Sequence, residues 1–350
     1  MKAASKAPPK SSPAAELVEW RQKIASGLAI YRIWVVLIFL MIGAAVVSSG
    51  IFLRPSNLLS LLFIAAPTAI AAMGQTLVIM TGGIDLSVAA IWVLSAVVSA
   101  GLARAGMSLP MCVLAAIAVG FIGGLLNGCL VAVFRVPPLI ATLGTLSVGE
   151  GVARVYTGNS PILSVPEAYQ ALGSSSFGSV PLPAIILAAF VLLLIFIMQR
   201  MKMGRQIYAV GGNPIAANFA GLPVRQTLIF VYAASGILAA VAGLLQSAYV
   251  QEALPNIDMN TLFATIGGVV IGGAALSGGS GLVLNSVGGV LVIVVVENMM
   301  NIVGVSPFLS QGVLGAIVLL AVYLNVGFDP KVLYRWLWRF SVRSRSHEGP

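Results

Sequence analysis

Ten long apolar stretches constrain this chain more than any other feature of its sequence. Each is long enough to cross, or nearly cross, a hydrocarbon layer of about 30 Å. They fall at about 33–50, 58–80, 86–104, 110–134, 138–155, 181–199, 226–249, 261–276, 282–303 and 308–325. The pattern predicts an all-α polytopic membrane protein of about ten transmembrane helices. The eighth stretch is short and Gly-rich, and its sequence allows either a full span or a re-entrant segment.

The composition supports a membrane protein and excludes other classes. Hydrophobic residues make up 59% of the chain and charged residues only 8%, with a mean hydropathy of +1.03, whereas soluble domains carry about 25% charged residues. The net charge of +9 does not indicate nucleic-acid binding, because no long basic and aromatic face lies outside the apolar stretches. The single histidine, His347, lies in the charged tail, so neither a metal nor a cofactor is expected.

The positions of the basic residues predict the orientation of the chain. If the N-terminus lies inside and the ten stretches alternate, sixteen of the nineteen Lys and Arg residues fall on the inner side, as the positive-inside rule requires. Only Arg54, Arg104 and Arg154 fall at or near the outside. Both termini are therefore predicted to be cytoplasmic. The predicted divisions are a cytoplasmic tail over 1–32, a transmembrane domain over 33–325 and a basic cytoplasmic tail over 326–350.

Residues 200–225, which are mostly polar or small, form the longest such interruption of the apolar stretches. This segment is cytoplasmic in the predicted orientation, whereas the loops at 156–180 and 250–260 face outward. It carries the signals of a short helix: Asn213 is a good N-cap and Pro214 suits the first helical position, while a glycine seven positions later is typical of a helix end. We interpret it as a cytoplasmic helix offered to a partner protein. The predicted contact residues are Asn213, Pro214, Ala216, Ala217 and Gly221.

Three acidic residues within or beside the apolar stretches are candidates for chemistry, because ionisable groups are costly in a membrane. Asp85 precedes the third stretch, where capping of the helix start is favoured over contact with a solute. Glu150 lies four positions before Arg154, a spacing that favours an ion pair within one helix. Glu297 begins a polar stripe on the ninth stretch.

The chain is not expected to be an enzyme. A Ser/His/Asp set is impossible with one histidine in the tail, and no carboxylates pair at a defined spacing. No G-x-x-x-x-G-K-[ST] phosphate-binding loop occurs, so the chain cannot hydrolyse ATP by that route.

Six motifs follow one another along the chain. They are MGQTLVIMTGGIDLSV at 73–88, LIATLGTL at 139–146, VYTG at 155–158, GRQIYAVGGNPIAANFAGLPVR at 204–225, VIGGAALSGGSG at 270–281 and NMMNIVGVS at 298–306. In this order and combination they resemble the membrane permeases of ribose-type sugar ABC importers, over about residues 35–325.

The resemblance implies that the chain crosses the lipid of a bacterial inner membrane several times and has three protein partners. These are a cytoplasmic ABC ATPase, a periplasmic or extracytoplasmic sugar-binding protein, and a second permease copy or related permease. The family's coupling helix would be 213–221 here, and its small residues would seat in a cleft of the ATPase and transmit its closure. The permease itself would bind solute weakly.

Neutral polar side chains within the stretches suit an uncharged sugar, which needs hydrogen bonds but no countercharge. The predicted translocation-pathway residues are Gln75, Asp85, Asn127, Asn298 and Asn301.

Three alternatives stay open from the sequence. An ion-coupled secondary carrier would bind its ion at Asp85, Glu150 or Glu297. An ABC permease for branched-chain amino acids shares the broad architecture, although a charged amino-acid backbone would require countercharges that the sequence offers sparsely. A membrane scaffold would leave the capped helix unexplained. The sequence does not distinguish one sugar or polyol from another, nor a homodimer from a heterodimer.

Overall fold

A computed structural model describes residues 31–326. The predicted tails over 1–32 and 326–350 lie almost entirely outside the described residues. The described helices are α1 Tyr31–Val47, α2 Pro55–Met80, α3 Val88–Arg104, α4 Leu109–Ala132, α5 Pro138–Thr157, α6 Glu167–Ser174, α7 Leu182–Arg200, α8 Lys202–Gly212, α9 Pro214–Phe219, α10 Val224–Val250, α11 Met259–Ile271, α12 Val283–Val303 and α13 Pro307–Val326. A 3-10 turn at Ile51–Leu53 precedes α2, and two short antiparallel strands, β1 Ser176–Phe177 and β2 Val180–Pro181, form a hairpin before α7.

The architecture is that of a helical, polytopic membrane protein. Within residues 31–326, a helix coincides with each of the ten predicted stretches, and boundaries differ by at most five residues. Five helices, α2, α4, α7, α10 and α12, are long and apolar enough to cross a membrane, while α1, α3, α11 and α13 are shorter apolar helices. At 13 residues, α11 is about 20 Å long, too short to cross a layer of about 30 Å alone.

Helix α10 lies at the centre of the bundle and packs most extensively against α4, α2 and α3. Glycines on one face of α4 permit its close approach to α10: a Cβ at Gly124 would overlap the carbonyl oxygen of Tyr232, and one at Gly120 would overlap that of Gly236. Small residues hold membrane helices together in this way, because they allow extensive backbone contact. Packing therefore accounts for these glycines.

The loop over 156–180 has more structure than the sequence predicted. It contains α6 and the hairpin, and its Tyr169 is buried. The hydroxyl of Tyr169 lies 2.8 Å from Ser99 Oγ on α3 and 2.7 Å from Ser247 Oγ on α10. Ile162 also exchanges two backbone hydrogen bonds with Ala253 in the α10–α11 connection, at 2.9 and 3.0 Å. These contacts fix the connection relative to the bundle.

Candidate functional site

The predicted short helix is present as α9, and its predicted caps are confirmed. Asn213 Oδ1 accepts hydrogen bonds from the backbone N–H groups of Ile215 and Ala216, both at 3.0 Å. Pro214 is the first helical residue. Gly221 has a φ of +78°, which an L side chain rarely adopts, so this position ends the helix.

Helix α9 presents large apolar side chains to its surroundings. Ile215 is 69% exposed and Phe219 is 86% exposed, whereas Ala217 is buried against the bundle. Of the five predicted contact residues, Ala217 alone is buried, and the other four are exposed. An exposed aromatic side chain on a rigid, capped turn is suited to insertion into a partner's surface.

Helix α8, which the sequence analysis missed, leads directly into α9. It is amphipathic: Gly204, Ile207 and Val210 are buried at a spacing of three residues, and this periodicity is the signal that could have predicted it. The hydroxyl of Tyr208 donates to the carbonyl oxygen of Gly281 at 2.9 Å. Burial raises the pKa of the Tyr208 phenol, so the hydroxyl keeps its proton and remains a donor at neutral pH.

Three glycine-containing segments meet behind α9, and we call this meeting the glycine junction: residues 80–82, 211–212 and 278–279. The backbone N–H of Gly279 donates to the carbonyl oxygen of Met80 at 2.9 Å. A Cβ at Gly211 would overlap that same carbonyl oxygen. The end of α8 is therefore in backbone contact with the end of α2 and with the α11–α12 connection.

A small cavity of about 130 Å³ lies between α9, the α2–α3 linker and α10. Pro214 and Gly82 line it, as does Tyr232, whose buried hydroxyl has no hydrogen-bond partner in the described part of the chain. The cavity leaves α9 room to shift relative to the bundle.

A network of hydrogen bonds surrounds Asp85, which is fully buried in the α2–α3 linker. Its Oδ1 accepts from the backbone N–H of Ser87 at 3.0 Å and from Ser87 Oγ at 2.5 Å. Its Oδ2 accepts from Ser235 Oγ on α10 at 3.0 Å. Ser87 occupies the N-cap position of α3 but makes no side-chain cap hydrogen bond. The Asp85 carboxylate accepts from the backbone N–H groups of Ser87 and Val88, so the predicted capping of the helix start is confirmed. The carboxylate also binds the linker to α10, which was not predicted.

Two other predicted pathway residues extend this network. The Gln75 amide, oriented with its nitrogen toward the Asp85 carbonyl oxygen, donates there at 3.0 Å and accepts from the Asp85 N–H at 3.2 Å. Asn127 donates to Ser87 Oγ at 2.7 Å and accepts from Thr145 Oγ1 at 2.8 Å. The structure thus brings Gln75, Asp85 and Asn127 together, and the hydroxyl residues that join them were not predicted.

The remaining predicted residues lie apart from this network. Asn298 exchanges two amide hydrogen bonds with Asn57 on α2, at 2.9 and 3.0 Å, and Asn301 is exposed on the last turn of α12. The predicted ion pair between Glu150 and Arg154 is confirmed, at 2.7 Å.

A second cavity, of about 290 Å³, opens between α3, α10 and the α10–α11 connection. We call it the outer cavity, after the side on which the sequence predicts that connection. Its polar lining was missed because it comes from three separate segments. The polar and aromatic residues that line it are Trp92, Gln246, Ser247, Glu252, Asn256, Asp258 and Thr261. None of the five predicted pathway residues lies there.

The bundle is helical and polytopic, and it carries the exposed, capped helix α9 in the segment between the long apolar helices α7 and α10. Residues 57–322 match the family described as branched-chain amino acid transport system / permease component, and the chain belongs to this family. No solved structure matches it significantly.

Similar proteins are named sugar permeases. The ribose import permease protein of Bacillus subtilis (strain 168) is 36% identical over 276 residues, covering 78% of this chain and 86% of that relative. The ribose import permease of Escherichia coli (strain K12) is 35% identical over 295 residues, with 83% and 92% covered. The galactofuranose transporter permease of the same strain is 37% identical over 266 residues, with 73% and 75% covered.

These similarities confirm the predicted resemblance to ribose-type sugar ABC permeases. They also confirm the prediction that the chain is a transport subunit rather than an ATP-hydrolysing enzyme, because its relatives are permeases. Permeases of ABC importers work in general with a separate ATPase and a substrate-binding protein.

Proposed function

We propose that this permease moves a monosaccharide or related polyol into the cell across a bacterial inner membrane. A cytoplasmic ABC ATPase supplies the energy, and an extracytoplasmic sugar-binding protein delivers the solute. The observation that carries the proposal is α9, a rigid helix whose Phe219 is 86% exposed and whose base contacts the glycine junction.

The proposed topology has about ten spans with both termini in the cytoplasm. It is supported by the placement of sixteen of the nineteen basic residues. In this topology α8 and α9 lie on the cytoplasmic side, within reach of an ATPase, while the 156–180 loop and the 250–260 connection lie outside, within reach of the binding protein. A second permease, identical or related, completes the assembly.

Helix α9 is the proposed coupling element. Asn213, Pro214, Ala216 and Gly221 would lie at the surface of an ATPase cleft that receives Phe219, and the buried Ala217 would hold the helix to the bundle. Because backbone atoms touch backbone atoms at the glycine junction, closure of the ATPase would displace the ends of α2 and α8 and the α11–α12 connection together.

The proposed solute class rests on the relatives and on the charges inside the bundle. Relatives are named for ribose, galactofuranose and D-allose. Within the described residues, the buried side chains include no Lys or Arg, so the carboxylate of an amino acid would have no countercharge there. Ion coupling at Asp85 or Glu150 is not favoured either, since both already have partners, so an ion-coupled carrier would have to use Glu297. The pathway through Gln75, Asp85, Asn127, Asn298 and Asn301 remains a proposal.

The test uses the full chain purified with sugar-type ATPase subunits from the same genome. ATP hydrolysis and sugar uptake are measured in liposomes for the native chain and for Gly221→Arg, which places a bulky cation at the end of α9. Gly178→Arg is the matched control: both glycines are exposed, have a positive φ and have open space around the missing Cβ, but Gly178 lies in the outer hairpin. We expect Gly221→Arg alone to abolish binding or uncouple hydrolysis. Uptake that follows an ion gradient, without a bound ATPase, would exclude the importer.

A further inference from the structure

We propose that the outer cavity is a binding site for one neutral polyhydroxyl solute, which a monosaccharide occupies after the receptor releases it. This inference rests on the proposed function and extends it to a site on the permease itself. The cavity lies next to the 250–260 connection, on the outer side in the proposed topology.

The first argument is that several polar groups lining the cavity are unpaired. Within residues 31–326, no hydrogen bond or ion pair engages the indole N–H of the buried Trp92 or the side chains of the half-buried Gln246 and Glu252. Asn256 is also without a partner there, but it is exposed. Because the protein does not use the hydrogen-bonding capacity of these groups, it is available to water or to a ligand in the cavity.

The second argument is the chemistry of these groups. The indole and amide N–H groups donate, while the carboxylate and amide oxygens accept, so together they match hydroxyls that do both. The largely buried Trp92 also offers a flat apolar surface for the C–H face of a sugar ring. Volume sets the size of the ligand: about 290 Å³ is near the lower end of ligand pockets, about 300–1,000 Å³, which favours one small solute.

The charges of the cavity disfavour solutes that carry a negative group. Its lining contains Glu252 and Asp258 but no Lys or Arg. Asp258 is engaged in capping α11, where it accepts from the backbone N–H of Asn260 at 3.0 Å and from Thr261 Oγ1 at 2.8 Å, so Glu252 is the free acceptor. An anion would be repelled, and the carboxylate of an amino acid would find no cation.

The walls of the cavity are held in place. A Cβ at Gly243 would overlap the carbonyl oxygen of Trp92, so α3 and α10 approach closely directly beside the indole. Glu252 immediately precedes Ala253, which is paired with Ile162 of the outer loop. Groups on such fixed backbone need little reordering when a ligand binds.

The inference is tested by uptake into liposomes that contain the assembled importer, its ATPase and its receptor. D-ribose and D-allose are supplied below saturation. The variants are Glu252→Gln, Gln246→Leu and Trp92→Phe, each checked for an unchanged melting temperature. The matched control is Gln311→Leu, since Gln311 is an exposed amide on α13 that does not line the cavity. We expect Glu252→Gln and Gln246→Leu each to lower uptake about ten-fold or more, a smaller loss for Trp92→Phe, and none for the control.

Two outcomes would overturn the inference. One is uptake within two-fold of the native rate in both Glu252→Gln and Gln246→Leu while Gly221→Arg abolishes uptake. This result would support the importer but contradict the proposed binding site. The other is a defect confined to Glu252→Gln that a higher receptor concentration overcomes, because the residue would then bind the receptor. If the native assembly imports no sugar, the proposed function is contradicted, and so is the binding site that depends on it.

Discussion

Two groups of polar residues lie on the same pair of helices and differ in how their hydrogen bonds are completed. Just before α3 and in the middle of α10, Asp85 and Ser235 belong to a closed network in which each carboxylate oxygen has a protein partner. About two turns further along α3 and three turns further along α10, Trp92 and Gln246 line the outer cavity and have no partner in the described chain.

The difference indicates two roles for polar residues in an apolar bundle. A buried polar group costs free energy unless its hydrogen bonds are made. Groups that bond one another hold helices in register, whereas groups that face a cavity unpaired are available to a solute. The polarity of a residue in the sequence does not separate these roles. Stability measurements can separate them, since only the network around Asp85 and Ser235 should contribute to the free energy of unfolding.

The largest effect is expected for Asp85→Ala. The substitution leaves the Ser87 N–H and the Ser235 hydroxyl without their acceptor in a buried site, so the free energy of unfolding should fall by about 3 kcal/mol. Asp85→Asn keeps one acceptor oxygen and should lose less. Denaturation in mixed detergent micelles measures both. A loss below about 1 kcal/mol for Asp85→Ala would show that the network does not hold α3 and α10 together.

Tyr169→Phe tests a hydrogen-bonded contact that borders the outer cavity. The tyrosine hydroxyl bridges Ser99 and Ser247, and Ser247 also lines the cavity. Its removal should lower the free energy of unfolding by about 1.5 kcal/mol and increase proteolysis of the 156–180 loop. Tyr156→Phe is the control, because Tyr156 is 49% exposed. Equal losses in the two variants would contradict the bridge.

The paired amides of Asn57 and Asn298 should show a smaller coupling. Interhelical hydrogen bonds in membrane proteins contribute about 0.6 kcal/mol on average and up to about 1.7 kcal/mol, so a double-mutant cycle with Asn57→Leu and Asn298→Leu should give about 1 kcal/mol. If Asn298 also lines the pathway, as the sequence predicts, its single variant will slow uptake more than Asn57→Leu does. Equal uptake in the two variants would count against that role.

The sequence predicted the local features of this molecule well. The apolar stretches locate ten helices, because length and hydropathy determine where a membrane helix forms. The caps at Asn213 and Gly221 were also predictable, since each depends on a few neighbouring residues.

Features that depend on distant segments were not predictable. The hydrogen bond from Ser235 to Asp85 was missed because it joins residues 150 positions apart. The outer cavity draws Trp92 and Glu252 from segments whose proximity only the packing of α3 and α10 reveals. Helix α8 was missed for another reason: its buried positions include glycines, which a search for large apolar residues passes over.

The smallest effect on stability is expected for Glu252→Gln and Gln246→Leu, in contrast to the large loss of stability expected for Asp85→Ala. Neither native side chain bonds to the described chain, so each variant should change the free energy of unfolding by less than about 0.5 kcal/mol. Uptake should nevertheless fall, which would separate ligand binding from structural support. Gln75→Leu is the comparison variant, since it removes an amide that bonds to Asp85 and should destabilise the bundle. If Gln246→Leu were as destabilising as Gln75→Leu, the polar residues of the outer cavity would stabilise the fold in the same way as the network around Asp85. Their lack of hydrogen-bond partners would then not indicate a solute-binding site.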